Sequence, residues 1–228
     1  LIVEAVDLSS WTTLIDAIAK ELHNGTLKPE DLNEALILKT YTELEKGASA
    51  GYGKSWLKLD TEIATTVAKL QENLYAFSAA KTYQQLETMN SFLVDENGKI
   101  RNYSAFKRKV DVVHKNYNKN YLQAEYQTSK RSAQASRKWK GFEENADLFP
   151  NLQYMTVGDS KVREDHNQLN GIIKAVNDPF WDTHYPPNGF RCRCYAKPTT
   201  AAADTRKTAT KPDKGFGNNV GKSNEIFK

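Results

Sequence analysis

Between Asp60 and Met89 the apolar residues Ile63, Val67, Leu70, Leu74 and Phe77 recur at spacings of three and four. Such spacings put side chains on one face of a helix and scatter them over both faces of a strand, so the stretch is predicted to be one long helix. Its neighbours follow suit. "SSWTTLIDAIAKELH" (residues 9–23) reads as a helix capped by Ser9 or Ser10 and ended at Asn24-Gly25. Pro29 opens a second helix, which Gly47 closes. "SFLVDENGKIRNY" interrupts the run, and Asn97-Gly98 between short apolar stretches predicts a tight hairpin. Ser104 then caps a helix carried to about Lys140, with Phe106, Val110, Val113, Tyr117, Tyr121 and Ala124 on its apolar stripe.

The pattern changes at Pro150. "LQYMTV" reads as a strand, "VREDHNQLNG" as a short helix stopped by Gly171, and "IIKAV" as a second strand. "NDPFWDTHYPPNG" reads as an irregular loop and "RCRCYAKP" as a last strand. From about Thr199 the composition turns to Ala, Thr, Lys and Gly, as in a flexible tail. The fold class is therefore α+β. A mainly helical region with long helices (1–148) precedes a small α+β module (149–198) and a flexible basic tail (199–228).

The length of 228 residues, 39% hydrophobic, is ample for a buried core. No apolar run approaches the roughly 20 residues that span a bilayer, so no membrane partner is expected. No signal peptide is expected from the first residues. The chain starts at Leu1 rather than Met and reads as a fragment, a processed product or the ordered part of a longer protein. Two cysteines form no secreted-type disulfide framework, which favours a reducing compartment. The net charge of +4 is uneven. Asp111 and Glu125 are the only acids between Arg101 and Lys140, against Lys107, Arg108, Lys109, Lys130, Arg131, Arg137, Lys138 and further basic residues. These are candidate contacts to nucleic acid or an acidic protein surface; a solvated helix face is the plain alternative.

"GASAGYGKS" (Gly47–Ser55) imitates a phosphate-binding loop. However, five residues separate Gly47 from Gly53 where the motif needs four, and a helix precedes it where a strand is required. Both cysteines sit in "HYPPNGFRCRCYAKP" (His184–Pro198), one residue apart. On a strand, residues i and i+2 share a face, too far apart for an unstrained disulfide but able to face one centre. Cys192 and Cys194 with His166 and His184 would make a tetrahedral zinc site, and Asp165 or Asp182 would serve in place of one histidine. The competing reading is two small buried hydrophobes on a core strand. A structural zinc is the one cofactor these residues raise, and no catalytic set stands out.

"TVGDSKVREDHNQLNG" followed by "DPFWDTHYPPNGFRCRC" resembles the C-terminal signature of the phage Mu F-like minor head proteins, the phage head morphogenesis family. Arg163, His166, Leu169, Gly171, Pro186, Pro187, Cys192, Arg193 and Cys194 match it in order and spacing. "YNKNYLQAEYQTSKRSAQASRKW" (Tyr117–Trp139) is similar to the preceding helix of the family, and the likeness covers residues 60–198 well. Val220 in "GFGNNVGK" departs from it, standing where the family often has proline. The resemblance implies a structural protein of the virion, in the head interior or at the portal vertex, that assembles in the host cytoplasm. It implies portal, major capsid or scaffold proteins as partners, and neither enzymatic activity nor a small-molecule substrate. Arg163, Gly171, Pro186, Pro187 and Arg193 would then be fold determinants. A zinc-dependent hydrolase or nuclease using the His/Cys cluster, and a DNA-binding module, are the alternatives.

Overall fold

A computed structural model describes residues 9–57 and 61–228. Within them the chain forms two compact units. One comprises residues up to Leu44 together with Leu74–Ala124, and the other Glu45–Asn73 with Glu125–Lys228. No helix among the described residues is long and apolar enough to cross a membrane.

In the first unit, α1 (Ser9–Asn24) ends where Gly25 takes φ +73°. Its cap, expected at Ser9 or Ser10, falls at the edge of the described residues. Trp11, Ile15, Ile18 and Leu22 make its buried face. Pro29 opens only a short 3-10 turn, Pro29–Asp31, because Leu32 turns left-handed (φ 56°). The helix proper, α2 (Glu34–Tyr52), starts where the Asn33 Oδ1 accepts from the Leu36 N–H at 2.9 Å. The long helix α3 runs Thr61–Ser91; its expected start at Asp60 lies outside the described residues. Asn97-Gly98 does make a tight turn, but the hairpin is reduced to one bridge, Val94 to Ile100. Asn102, not Ser104, caps α4 (Tyr103–Lys115), its Oδ1 accepting from Ala105 N–H at 2.9 Å.

Helical structure continues from α4 through a π-helical segment, Asn116–Tyr121, into α5 (Leu122–Glu144). The Tyr117 carbonyl accepts the Leu122 N–H across the wide turn and, on its other lone pair, the Lys81 ammonium at 2.9 Å. Buried Asn118 meets His114 Nδ1 at 2.9 Å.

In the second unit, α5 buries a narrow stripe of small residues: Thr128, Ser129, Ser132, Ala133 and Ser136, ending on Trp139. Gly47 does not close α2. A Cβ there would stand 2.7 Å from the Tyr126 carbonyl oxygen, and one on Gly51 would collide with the Lys130 carbonyl. "GASAG" is thus a close contact between two helix backbones, which explains the small residues of the false phosphate loop.

After Pro150, strands β1 (Asn151–Met155), β2 (Ile173–Ala175) and β3 (Tyr195–Thr199) form an antiparallel sheet ordered β2-β1-β3. Leu152 and Tyr154 point into the core. The short helix α6 (Glu164–Gln168) joins β1 to β2. The loop expected after β2 contains a further helix, α7 (Phe180–His184), and the Pro186–Pro187 bond is cis. The last strand is shorter than expected. Arg191 takes φ 61°, so Cys192 and Cys194 lie in the turn before β3 rather than on it.

The segment after Thr199, read as a flexible tail, is anchored instead. Phe216, Val220, Ile226 and Phe227 are buried. The Asn73 side-chain amide clamps the chain end: Oδ1 accepts from the N–H groups of Ile226 (2.8 Å) and Phe227 (2.9 Å), and Nδ2 donates to the Phe227 carbonyl (2.8 Å). The short helix α8 (Val220–Ser223) lies on Trp139. Gly221 packs against that ring, Lys222 sits 5.2 Å from its centroid and pairs with Asp182 at 2.6 Å. Val220 therefore docks where the resemblance led one to expect proline. Four apolar anchors among thirty mostly polar residues leave little trace in composition.

Candidate metal centre

Three segments of the second unit build one buried cluster. The first is α6, which carries His166. The second is the turn from Asn188 to Cys194, held by a bond from Cys192 N–H to the Gly189 carbonyl (3.1 Å) and by the Arg131 guanidinium donating to the Cys192 carbonyl (2.9 Å). The third is the stretch around Asp213, whose N–H donates to the Asn188 carbonyl at 3.0 Å.

His166 Nδ1 lies 3.5 Å from Cys192 Sγ and 3.6 Å from Cys194 Sγ. His166 and Cys192 are buried and Cys194 is partly so. On the far side of the ring, Arg163 donates to Nε2 at 3.0 Å and to Asp213 Oδ2 at 2.9 Å. A guanidinium has only donors, so Nε2 accepts and the proton of the neutral ring sits on Nδ1, facing the sulfurs. Gly189 leaves room for this pair, since a Cβ there would push aside the side-chain ends of Asp213 and Arg163.

The Cys194 thiol donates to the Cys192 sulfur. With His166 and the backbone N–H groups of Asn188 and Cys194, it holds the Cys192 thiol at about 4, well below the usual thiol range, against burial that pushes it up. Cys194, the donor in that bond, is pushed up, further so by its own burial. Burial also raises Tyr154, whose hydroxyl donates to buried Asn188 Oδ1 at 2.9 Å. The cluster opens onto a cavity of about 230 Å³ lined by Val157, Lys161, Val162, Arg163, Phe190, Arg191 and Arg193 besides His166 and the two cysteines.

Of the four expected ligands, the structure gathers His166, Cys192 and Cys194. His184 is elsewhere. It stacks on Phe180, its Nε2 bonds the Thr210 carbonyl at 2.9 Å and its Nδ1 bonds Thr183 Oγ1 at 2.7 Å. Asp182 is taken by Lys222. Asp165 lies near His166, together with Asp213. Arg193 holds its loop to the segment after β1 through two 2.6 Å bonds to Asp159, whose carboxyl is held at about 2, chiefly by that pairing. Gly171 turns at φ +78° between α6 and β2, while Pro186 and Pro187 are buried. Asn188, Asp213 and Asn73 were missed. The first has a local signal in "PPNG"; the other two act across 25 or more residues.

The basic candidates divide between the units. In the first, Lys107 bridges Asp16 (2.8 Å) and Asp111, Arg108 donates to Ser104 Oγ and Lys109 covers Phe92. In the second, Arg131 is committed to the cysteine turn, Lys130 is half-buried, and Arg137 and Lys138 are exposed.

The family comparison covers the segment that holds His166, Cys192 and Cys194. Residues 96–197 match the family described as "Phage Mu protein F like protein". The putative capsid assembly protein F of Escherichia phage Mu is 38% identical over 77 residues, which are 34% of this chain and 18% of that protein. The Mu-like prophage FluMu F protein of Haemophilus influenzae is 40% identical over 67 residues, 29% of this chain and 16% of the relative. The matches thus span less than a fifth of either relative. No solved structure matches the chain.

Proposed function

From the premise that this chain is a Mu F-like phage protein, we propose that it serves phage head morphogenesis as a structural component, docking at the portal vertex or the inner capsid. The match over 96–197 carries the reading, because it takes in α4, α5, the sheet up to the middle of β3 and the whole His/Cys turn. The relative in phage Mu is named a capsid assembly protein, and that role is carried over here. The portal, major capsid or scaffold proteins are the partners, and the virion is the destination. The role is read as non-enzymatic because the capsid assembly name of the relative describes a structural part.

The test is co-purification with the portal protein encoded beside this chain, followed by counting copies in purified heads. Stable binding and a few copies per particle support the proposal. Absence from particles that assemble normally without the chain would refute it. Contact with packaged DNA is a second reading, favoured by exposed Arg137 and Lys138. It requires binding that weakens steeply with salt and weakens further in a double Arg137→Gln, Lys138→Gln variant.

A further inference from the structure

We propose that His166 Nδ1, Cys192 Sγ and Cys194 Sγ bind one zinc ion, with water in the fourth position on the cavity side and Asp213 as the carboxylate that orients the histidine. The inference stands apart from the role in head assembly, since it rests only on the geometry of this turn. His184 has no part in it.

The first argument is distance. Zinc takes thiolate sulfur at about 2.3 Å and imidazole nitrogen at about 2.0–2.1 Å, so the sulfur–nitrogen edges of a tetrahedral site measure about 3.5 Å. The two edges here are 3.5 and 3.6 Å. The three donors thus stand where ligands would stand, on a frame held by α6, the Gly189 carbonyl and Arg131. The second argument is chemistry. Two thiolates and an imidazole form a soft donor set that suits zinc over the oxygen-seeking cations.

The third argument concerns the far side of the ring. Without metal, Nδ1 carries the proton and Arg163 donates to Nε2. Zinc occupies the Nδ1 lone pair, so the ring proton must reside on Nε2, where Arg163 has nothing left to donate to. A histidine that holds a metal gives its other N–H to a carboxylate or carbonyl. Asp213 already stands on that side, paired to the same arginine, with a carboxylate oxygen and a ring nitrogen of His166 within 4.8 Å of each other. Binding therefore moves Arg163 off Nε2 and joins His166 to Asp213, while the thiol protons leave to solvent. Because the Asp213 N–H also holds the Asn188 carbonyl, occupancy of the site draws the segment after β3 against the cysteine turn.

The experiment uses the full chain. It measures bound metal by elemental analysis after extensive dialysis, then reloads chelator-stripped protein with Co²⁺ and records its absorption. One metal ion per chain and the intense bands of tetrahedral cobalt with thiolate ligands are expected. His166→Ala and Cys194→Ser should lose stoichiometric metal, His184→Ala should keep it, and Asp213→Asn should weaken affinity about 10–100-fold. Should the ligand variants fail to fold, the wild-type cobalt spectrum and the His184→Ala variant still decide the matter. Wild-type protein that neither retains metal nor gives thiolate–cobalt bands would overturn the proposal, as would loss of metal in His184→Ala equal to that in His166→Ala. Rapid alkylation of Cys192 below neutral pH in protein that ignores both metals would also overturn it, and would assign the cluster to a reactive thiolate.

Discussion

Gly51→Ala tests whether the small residues of α2 exist to let two backbones meet. In an ordinary exposed helix the change would help, since alanine is favoured over glycine by about 1 kcal/mol. At Gly51 the new Cβ would collide with the Lys130 carbonyl oxygen and lie 2.7 Å from its carbon and 3.0 Å from its Cα. All three atoms are backbone, so no rotamer change relieves the contact and the helices must separate. Overpacking of this kind costs about 1–3 kcal/mol, and the value here belongs at the upper end. After the gain in propensity, a net loss of about 2 kcal/mol is expected, or roughly 4–8 °C in Tm for a chain of this size. Gly141→Ala is the matched control. It lies in α5, and a Cβ there meets nothing within 4 Å. That variant should be as stable as the parent or up to about 1 kcal/mol more so. Urea titrations followed by far-UV circular dichroism would measure both, with the midpoint moving and the slope unchanged. If Gly51→Ala proves as stable as Gly141→Ala, the close contact does not exist and the account of "GASAG" is wrong.

Asn73→Ala removes all three hydrogen bonds on the chain end and should cost about 2 kcal/mol; carboxypeptidase should then trim Ile226 and Phe227 much faster than in the parent. The Asp159 carboxyl is depressed to about 2 by its pairing with Arg193. Its contribution is fully present above the ordinary carboxylate value of about 3.9 and is lost as pH falls toward 2, so Asp159→Asn should lower stability slightly at neutral pH, change it little near pH 2, and so flatten the acid limb of the stability profile. Ending the chain after Thr199 removes Phe216 from beside Phe190, and Gly221 and Lys222 from the face of Trp139; the shortened protein should show a red-shifted, more quenchable tryptophan emission, and an unchanged spectrum would count against the docking of α8.

The helical half was legible because its signal is local. Ile63, Val67, Leu70 and Leu74 repeat at the period of the helix whatever they pack against. The helix was carried to about Lys140, near the observed end of α5, but its buried face was legible only as far as Ala124, since beyond it that face is serine and threonine, which hydropathy reads as surface. Errors at the site have a common cause. The left-handed Arg191 takes the cysteines off the strand, and no pattern announces that conformation at an arginine. His184 was chosen for nearness in sequence, yet α7 turns its ring toward the Thr210 carbonyl. Arg193, expected as a fold determinant, pairs with Asp159 because both lie in segments that flank the sheet. Asp213 was invisible: its partner Arg163 is 50 residues away, in a stretch whose composition reads as linker.

The distribution of these contacts bears on where the module ends. The family match stops at residue 197, two residues short of the end of β3. The cluster does not stop there. Arg163 and His166 reach forward to Asp213, the turn at Asn188 receives the Asp213 N–H, and Trp139 is covered by Gly221 and Lys222. Each of these contacts closes a surface that the matched segment alone would leave open: the outer edge of the histidine, the rim of the cysteine turn and the face of α5. A segment that performs three covering tasks with few apolar residues must do so through its backbone and a handful of polar side chains. Such contacts tolerate many sequences between the anchor points. The same physical fact therefore accounts for a docked chain end that looks like a tail and for a sequence likeness that fades before the structure does.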